Sequence, residues 1–169
     1  MEEMEKNKNR ALARIVPYAV LTAVLVLTAA CPKAPVRGSY DFDPPPRDWT
    51  PLKGEDGTLL FRHDSREMGI TVYTLCGRYL DAPLEPLARN LFIGFKDKKV
   101  VERGETEVSG KQAFFIVMEC TLEGAPLIVK AYTFKAENCI YDVVYFASPS
   151  RYESGIETFE TFVRGFEAG

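Results

Sequence analysis

Residues 111–122, KQAFFIVMECTL, and residues 139–147, CIYDVVYFA, decide the fold class. Successive side chains of a strand point to opposite faces, so a strand with one wet face alternates apolar with polar residues. Here Ala113 to Met118 (AFFIVM) and Ile140 to Ala147 (IYDVVYFA) are largely apolar at both parities. Both faces of the sheet are therefore covered where these strands lie.

Working outward, Glu123-Gly124-Ala125-Pro126 suits a hairpin from the first run into a further strand ending near Phe134. Ser109-Gly110 turns the chain into that run from Lys98 to Val108, KKVVERGETEV. This segment is polar along its length and reads as a sheet edge guarded by charge against strand addition. Thr58 to His63 and Ile70 to Cys76 form a second hairpin, with Glu67-Met68-Gly69 at the turn. The covering layers are helices. Asp81 followed by Pro83 starts one, whose Leu84, Leu87, Ala88, Leu91, Phe92 and Phe95 form an apolar stripe. A last helix carries Ile156, Phe159, Phe162, Val163 and Phe166 on one face. The order is strand, strand, helix, four strands, helix. It predicts an α+β domain over 58–169, a mostly antiparallel six-stranded sheet sandwiched between helices in α/β/α layers.

Composition agrees with one such domain and narrows the function classes. Of 169 residues, 46% are hydrophobic and 27% charged, so neither a disordered nor a multi-span membrane chain fits. Lys plus Arg number 21 against 24 Asp plus Glu, which supplies no basic field for nucleic acid. Four Cys are too few for a disulfide scaffold of this length.

The first 30 residues read as an address. Lys6, Lys8, Arg10 and Arg14 precede a stretch from Ile15 to Ala30 that carries no charge. That stretch makes only about 24 Å of helix, short of the roughly 30 Å a bilayer core requires, and Pro17 weakens its first turn. It ends Leu27-Thr28-Ala29-Ala30-Cys31, after which the chain turns polar and proline-rich. This segment resembles the lipobox of bacterial lipoproteins, with Leu27 one position further from the cysteine than is usual. The resemblance implies a signal peptide over 1–30 and a diacylglycerol on Cys31, the first residue after cleavage. Acyl chains then hold the protein to a membrane of the cell envelope, facing the periplasm or the exterior. An ordinary secretory signal or an uncleaved anchor is the competing reading.

Residues 31–57 follow as a tether. Positions 32–57 hold six of the eleven prolines and few aliphatic residues, too little to build a core. Pro44-Pro45-Pro46 favours extended polyproline II, a semi-stiff spacer, and Trp49 is where it would dock on the domain.

Val108-Ser109-Gly110-Lys111-Gln112-Ala113, Ala131-Tyr132-Thr133-Phe134, Tyr141-Asp142-Val143-Val144-Tyr145 and Phe159-x-x-Phe162-Val163-x-Gly165-Phe166 together carry a second likeness. The domain resembles the PsbP-like fold, a group that includes an extrinsic photosystem II subunit, a Ran-binding factor and many bacterial lipoproteins. Gly165 stands where that group often has serine. The resemblance implies a non-enzymatic binding or assembly module with a protein partner in the envelope, and it transfers no catalytic residue and no cofactor.

The reactive side chains do not assemble by spacing into known chemistry. His63 is the single histidine, and none of Ser65, Ser109, Ser148, Ser150 or Ser154 sits in a G-x-S-x-G elbow that would make a triad with it. Cys76, Cys120 and Cys139 with His63 have zinc-ligand types but no C-x-x-C spacing. Cys120 and Cys139 fall at opposite ends of their strands, beyond the roughly 7 Å Cα limit for a disulfide. Cys76 with Cys139 is then the favoured pair, and three buried, unbridged thiols remain the alternative. Glu102, Glu105 and Glu107 alternate with Lys98, Lys99 and Arg103 as a solvated edge rather than a glycosidase pair. Glu119 and Asp142 interrupt apolar strands, where a cation such as Lys130 could pair with them across strands. Phe114, Phe115, Tyr132, Tyr141, Tyr145 and Phe146 lack the interleaved basic residues of a base-stacking platform. A small envelope enzyme or thiol protein using His63 or a free Cys, and a small-ligand carrier with an apolar pocket between sheet and helix, are the rival functions.

Overall fold

The computed structural model describes residues 38–54, 58–65 and 67–169. The signal peptide over 1–30 and the acylation site Cys31 lie outside the described residues.

The strands are β1 (Tyr40–Asp41), β2 (Trp49–Lys53), β3 (Leu59–His63), β4 (Met68–Cys76), β5 (Lys96–Val108), β6 (Lys111–Leu122), β7 (Ala125–Ala136), β8 (Cys139–Ala147) and β9 (Glu167–Ala168). The helices are α1 (Leu84–Asn90) and α2 (Tyr152–Arg164). Seven strands form one sheet in the order β2-β3-β4-β8-β7-β6-β5, each pair antiparallel. The chain leaves β4, crosses as α1 to the far edge, enters β5 and meanders back until β8 pairs with β4. Short β1 and β9 make a separate two-stranded ladder.

Two-residue turns set the meander's register. Ser109-Gly110, Glu123-Gly124 and Glu137-Asn138 all adopt positive φ at both positions, the handedness that matches the strands' twist. The doubly apolar strands, β8 at the centre of the sheet and β6 one strand in from its edge, separate two cores. On one side Phe159, Phe162, Val163 and Phe166 of α2 and its C-terminal turn pack against Ile70, Val72, Phe134, Tyr141, Val143 and Tyr145. On the other, Ala88 and Phe92 pack against Phe114, Ile116, Met118, Val129, Ala131 and Val144. Burial of this apolar surface is what selects the register, because a one-residue slip would exchange the two cores.

Five expectations are corrected. The sheet has seven strands, not six, because β2 adds to β3. Residues 40–53, assigned on composition to the tether, belong to the folded domain, whose boundary at residue 58 therefore moves upstream. Trp49 supplies the reason: it is 5% exposed and sits against His63 and Tyr145, while Phe42 packs on Phe61 and Phe162. Pro51 is tolerated because β2 is an edge strand. Asp81 does not cap α1; the N-cap is Pro83, with no side-chain bond. The helix also stops at Asn90, because tighter bonds from Phe92, Ile93 and Phe95 to residues three back lead into Gly94 at φ +93. Finally Met68 and Gly69 belong to β4, pairing with Ala147 and Phe146.

The helices do not sandwich the sheet evenly. Seven-residue α1 covers β6 and β7 but leaves part of its face open near β4, where Tyr73 and Leu75 are exposed.

Candidate functional site: an apolar cleft beside α1

That uncovered part of the sheet is a cleft of about 380 Å³. Its floor is Val129, Val144 and Phe146, and its walls include Tyr73, Phe92, Phe95 and Leu122. Each is placed by simple geometry. Val129 and Phe146 are register partners on β7 and β8, and Thr71 pairs with Val144, so these side chains point to one face. Phe92 and Phe95 come from the turn that ends α1 and touch edge to face at 5.8 Å. Gly69 makes room for the floor: a Cβ there would stand 2.3 Å from the Phe146 ring.

Three cations hold the segment that forms the wall. Lys135 Nζ donates to the carbonyls of Leu80 and Ala82, Arg103 pairs with Glu85, and Lys98 Nζ donates to the Phe92 carbonyl at 3.3 Å. The lining offers few polar atoms, and the Thr71 hydroxyl is already spent on the Leu59 carbonyl at 2.9 Å. Sequence reasoning required a pocket between sheet and helix for a ligand carrier but assigned no residue to it, reading Phe92 and Phe95 as a helical stripe and Phe146 as a strand aromatic. Leu91, Phe92 and Phe95 continue the helical stripe of Leu84 and Ala88, and nothing in the spacing shows that the helix ends beneath them.

The predicted reactive residues are dispersed. His63 is the last residue of β3, half-buried opposite Trp49, and its Nε2 is 3.1 Å from Asp48 Oδ2 and its Nδ1 2.9 Å from Ser65 Oγ. Ser65 is thus the one candidate serine brought to the imidazole, with an acid that sequence reading did not select. The Ser65 N–H also donates to Nδ1 at 3.1 Å, and the Glu67 N–H reaches Ser65 Oγ at 3.4 Å. These local bonds close a turn. Ser109 instead accepts from the Ala168 N–H, Ser148 bonds Glu67 and Ser150, and Ser154 bonds the Arg151 carbonyl.

Cys76 and Cys139, register partners at the ends of β4 and β8, are joined by a disulfide. Cys120 is a free thiol in the core under α1, and burial pushes its pKa up. Among the described residues no three His, Cys, Asp or Glu side chains converge as metal ligands. Lys130 pairs with neither Glu119 nor Asp142, a further correction. Lys130 points to the α2 face, where its Nζ is 2.6 Å from Glu160, while Asp142 shares the face of Val144 and takes a bond from Thr133. Glu119 is held by Lys99 at 2.9 Å.

No protein-family model matches the chain, and no curated protein matches it in sequence. Solved structures do. The solution structure of cyanobacterial PsbP, CyanoP, from Synechocystis sp. PCC 6803 aligns with a TM-score of 0.57 at 9% identity, covering 84% of this chain and 99% of that one. The fold is PsbP-like. LpqN of Mycobacterium tuberculosis, described as involved in cell envelope biogenesis, aligns with a TM-score of 0.57 at 13% identity, covering 78% of this chain and 84% of that one. PA94 of Pseudomonas aeruginosa, a putative regulator, aligns at 0.51 and 14% identity, over 79% and 85% of the two chains. At such identities the likeness is one of backbone architecture, and no site residue of the PsbP-like domain is transferred by it.

Proposed function

We propose that the protein is a lipid-anchored component of the cell envelope whose PsbP-like domain is a non-enzymatic binding module, and that the cleft beside α1 is its binding surface. The observation that carries this reading is the cleft itself: a concave recess on the α1 face of the sheet, lined almost wholly by apolar side chains and walled by a segment that three cations hold in place. Anchoring through Cys31 would confine that recess to a membrane plane and raise its effective concentration there. LpqN, with the same architecture, is described as an envelope-biogenesis protein, which supports the location.

Intact mass of the membrane-fraction protein, together with a Cys31→Ala variant, tests the anchor. A mature chain beginning at acylated Cys31, and a variant that is released or left unprocessed, is the expected result. An unmodified Cys31 would remove the lipoprotein reading.

One observation favours a second reading, hydrolysis through Ser65: the His63 ring lies within hydrogen-bond distance of Ser65 Oγ through Nδ1 and of Asp48 through Nε2. A fluorophosphonate probe distinguishes the two. Labelling of Ser65 that is abolished by His63→Ala would support an enzyme, and an unlabelled native chain the binding module.

A further inference from the structure

The cleft lies on the face of the sheet and not at its edge. Its backbone groups are committed to the β4–β8–β7–β6 ladders, so a peptide laid there would bury N–H and C=O groups without partners. A hydrocarbon chain brings no such groups. A cavity of about 150 Å³ accepts a benzene-sized guest, so 380 Å³ has room for roughly 15 carbons. One charge stands beside the cleft. The exposed Lys98 ammonium is bonded to the carbonyl of Phe92, a wall residue, and among the described residues it pairs with no carboxylate. Of its chain neighbours, Asp97 is of opposite sign and Lys99 is held by Glu119, which leaves the Lys98 ammonium as the cation bonded to the cleft wall.

We propose that the cleft takes the hydrocarbon chain of a single-chain anionic amphiphile, a fatty acyl carboxylate, whose head group is met by Lys98. This rests on the reading of the cleft as the domain's binding surface. The acyl chain is held by Val129, Val144 and Phe146 beneath and Phe92 and Leu122 at the walls, and the carboxylate replaces water at the ammonium.

The test uses the full chain in its own membranes and a dodecanoate analogue with a terminal diazirine, alongside the matching alcohol. Irradiation is expected to label peptides containing Tyr73, Leu127 or Val129, with unmodified dodecanoate competing. Leu122→Trp, which fills the recess from a half-exposed position, should cut labelling by about tenfold or more. Tyr73→Asp, which sets a carboxylate into the apolar wall at a second half-exposed position, should lower labelling as well. Lys98→Gln should lower carboxylate labelling about fivefold and leave alcohol labelling unchanged. Labelling that dodecanoate does not displace, or that both wall variants leave intact, overturns the proposal; equal response of acid and alcohol to Lys98→Gln overturns its anionic head.

The source is separated by Cys31→Ala. Stronger labelling of that variant means that the protein's own acyl chain, which is ester- or amide-linked and carries no carboxylate, fills the cleft, and it overturns the fatty acyl carboxylate; unchanged labelling supports a free amphiphile. If no lipid label competes but both wall variants lose crosslinks to an envelope protein that the native chain retains, the acyl assignment fails while the binding-module reading stands. An unmodified Cys31 fails the anchor while acyl labelling survives.

Discussion

The Thr133 hydroxyl donates to the Asp142 carboxylate across the β7–β8 pair at 2.6 Å, both side chains lying on the α1 side of the sheet. Burial pushes the Asp142 carboxyl up to about 6, against the opposing effect of the Thr133 bond. The folded chain therefore binds more protons than the unfolded chain between the ordinary value of 3.8 and about 6. Stability from this group is fully present below that window, falls as pH rises through it, and is level above. Asp142→Asn keeps an acceptor for Thr133 without the charge. It should raise stability by about 2 kcal/mol near pH 8 and change it little near pH 4, read by urea unfolding at the two pH values. An equal effect at both would mean that packing, not ionisation, is what the substitution alters.

Lys130 is the pivot between α2 and the sheet. Burial acts to lower its pKa, but bonds with Glu160 and Tyr132 outweigh this and the ammonium is held above its ordinary value. The Tyr132 hydroxyl also donates to Glu160 at 2.9 Å, and Lys130 lies 5.5 Å from the centre of the Phe115 ring and 5.3 Å from that of Tyr132. Lys130→Ala leaves Glu160 part-buried without its cation and should cost about 2 kcal/mol. Adding Glu160→Gln should cost less than the sum of the two single changes, the signature of a coupled pair in a double-mutant cycle.

The Cys76–Cys139 bridge ties the end of β4, from which the chain departs for α1, to the start of β8. It spans a sequence separation of 63 residues, for which the loop-entropy estimate is about 4 kcal/mol. Reduction, or the double change to Ser, should lower the urea midpoint accordingly. An unchanged midpoint would show that the β4–β8 ladder alone confines this end of the sheet.

Trp49 tests where the domain begins. Its indole is buried under β2, edge-on to His63 at 5.2 Å between ring centres, so Trp49→Ala should cost about 3 kcal/mol. A chain in which 38–53 were only a spacer would lose nothing. Trp49 is the single tryptophan, so in the native chain its fluorescence should report unfolding of the whole domain.

Much of the architecture was legible along the chain. The doubly apolar runs at Ala113 to Met118 and Ile140 to Ala147 require covered faces, and Ser109-Gly110 and Glu123-Gly124 require tight turns; both demands are local, and β6 to β8 obey them. Residues 40–53 were misread because their value lies in distant partners. Trp49 and Phe42 look isolated among prolines until α2 and β8 come beneath them, and composition does not record such neighbours. Lys130 was assigned to the wrong acids for a related reason: strand parity sends it and Asp142 to opposite faces, and Glu160 arrives only when α2 docks.

By itself the sequence determined the alternation, the turns and the two apolar helix faces, since each depends on residues close along the chain. Tertiary structure alone decided which strand stands beside which, that α1 is too short to cover its face, and hence that a cleft exists. A cleft is the space left over when elements of fixed length are packed, and its walls come from β4, β6, β7, β8 and the turn after α1. No local pattern encodes that remainder, because it is set by the packing of segments far apart in the chain.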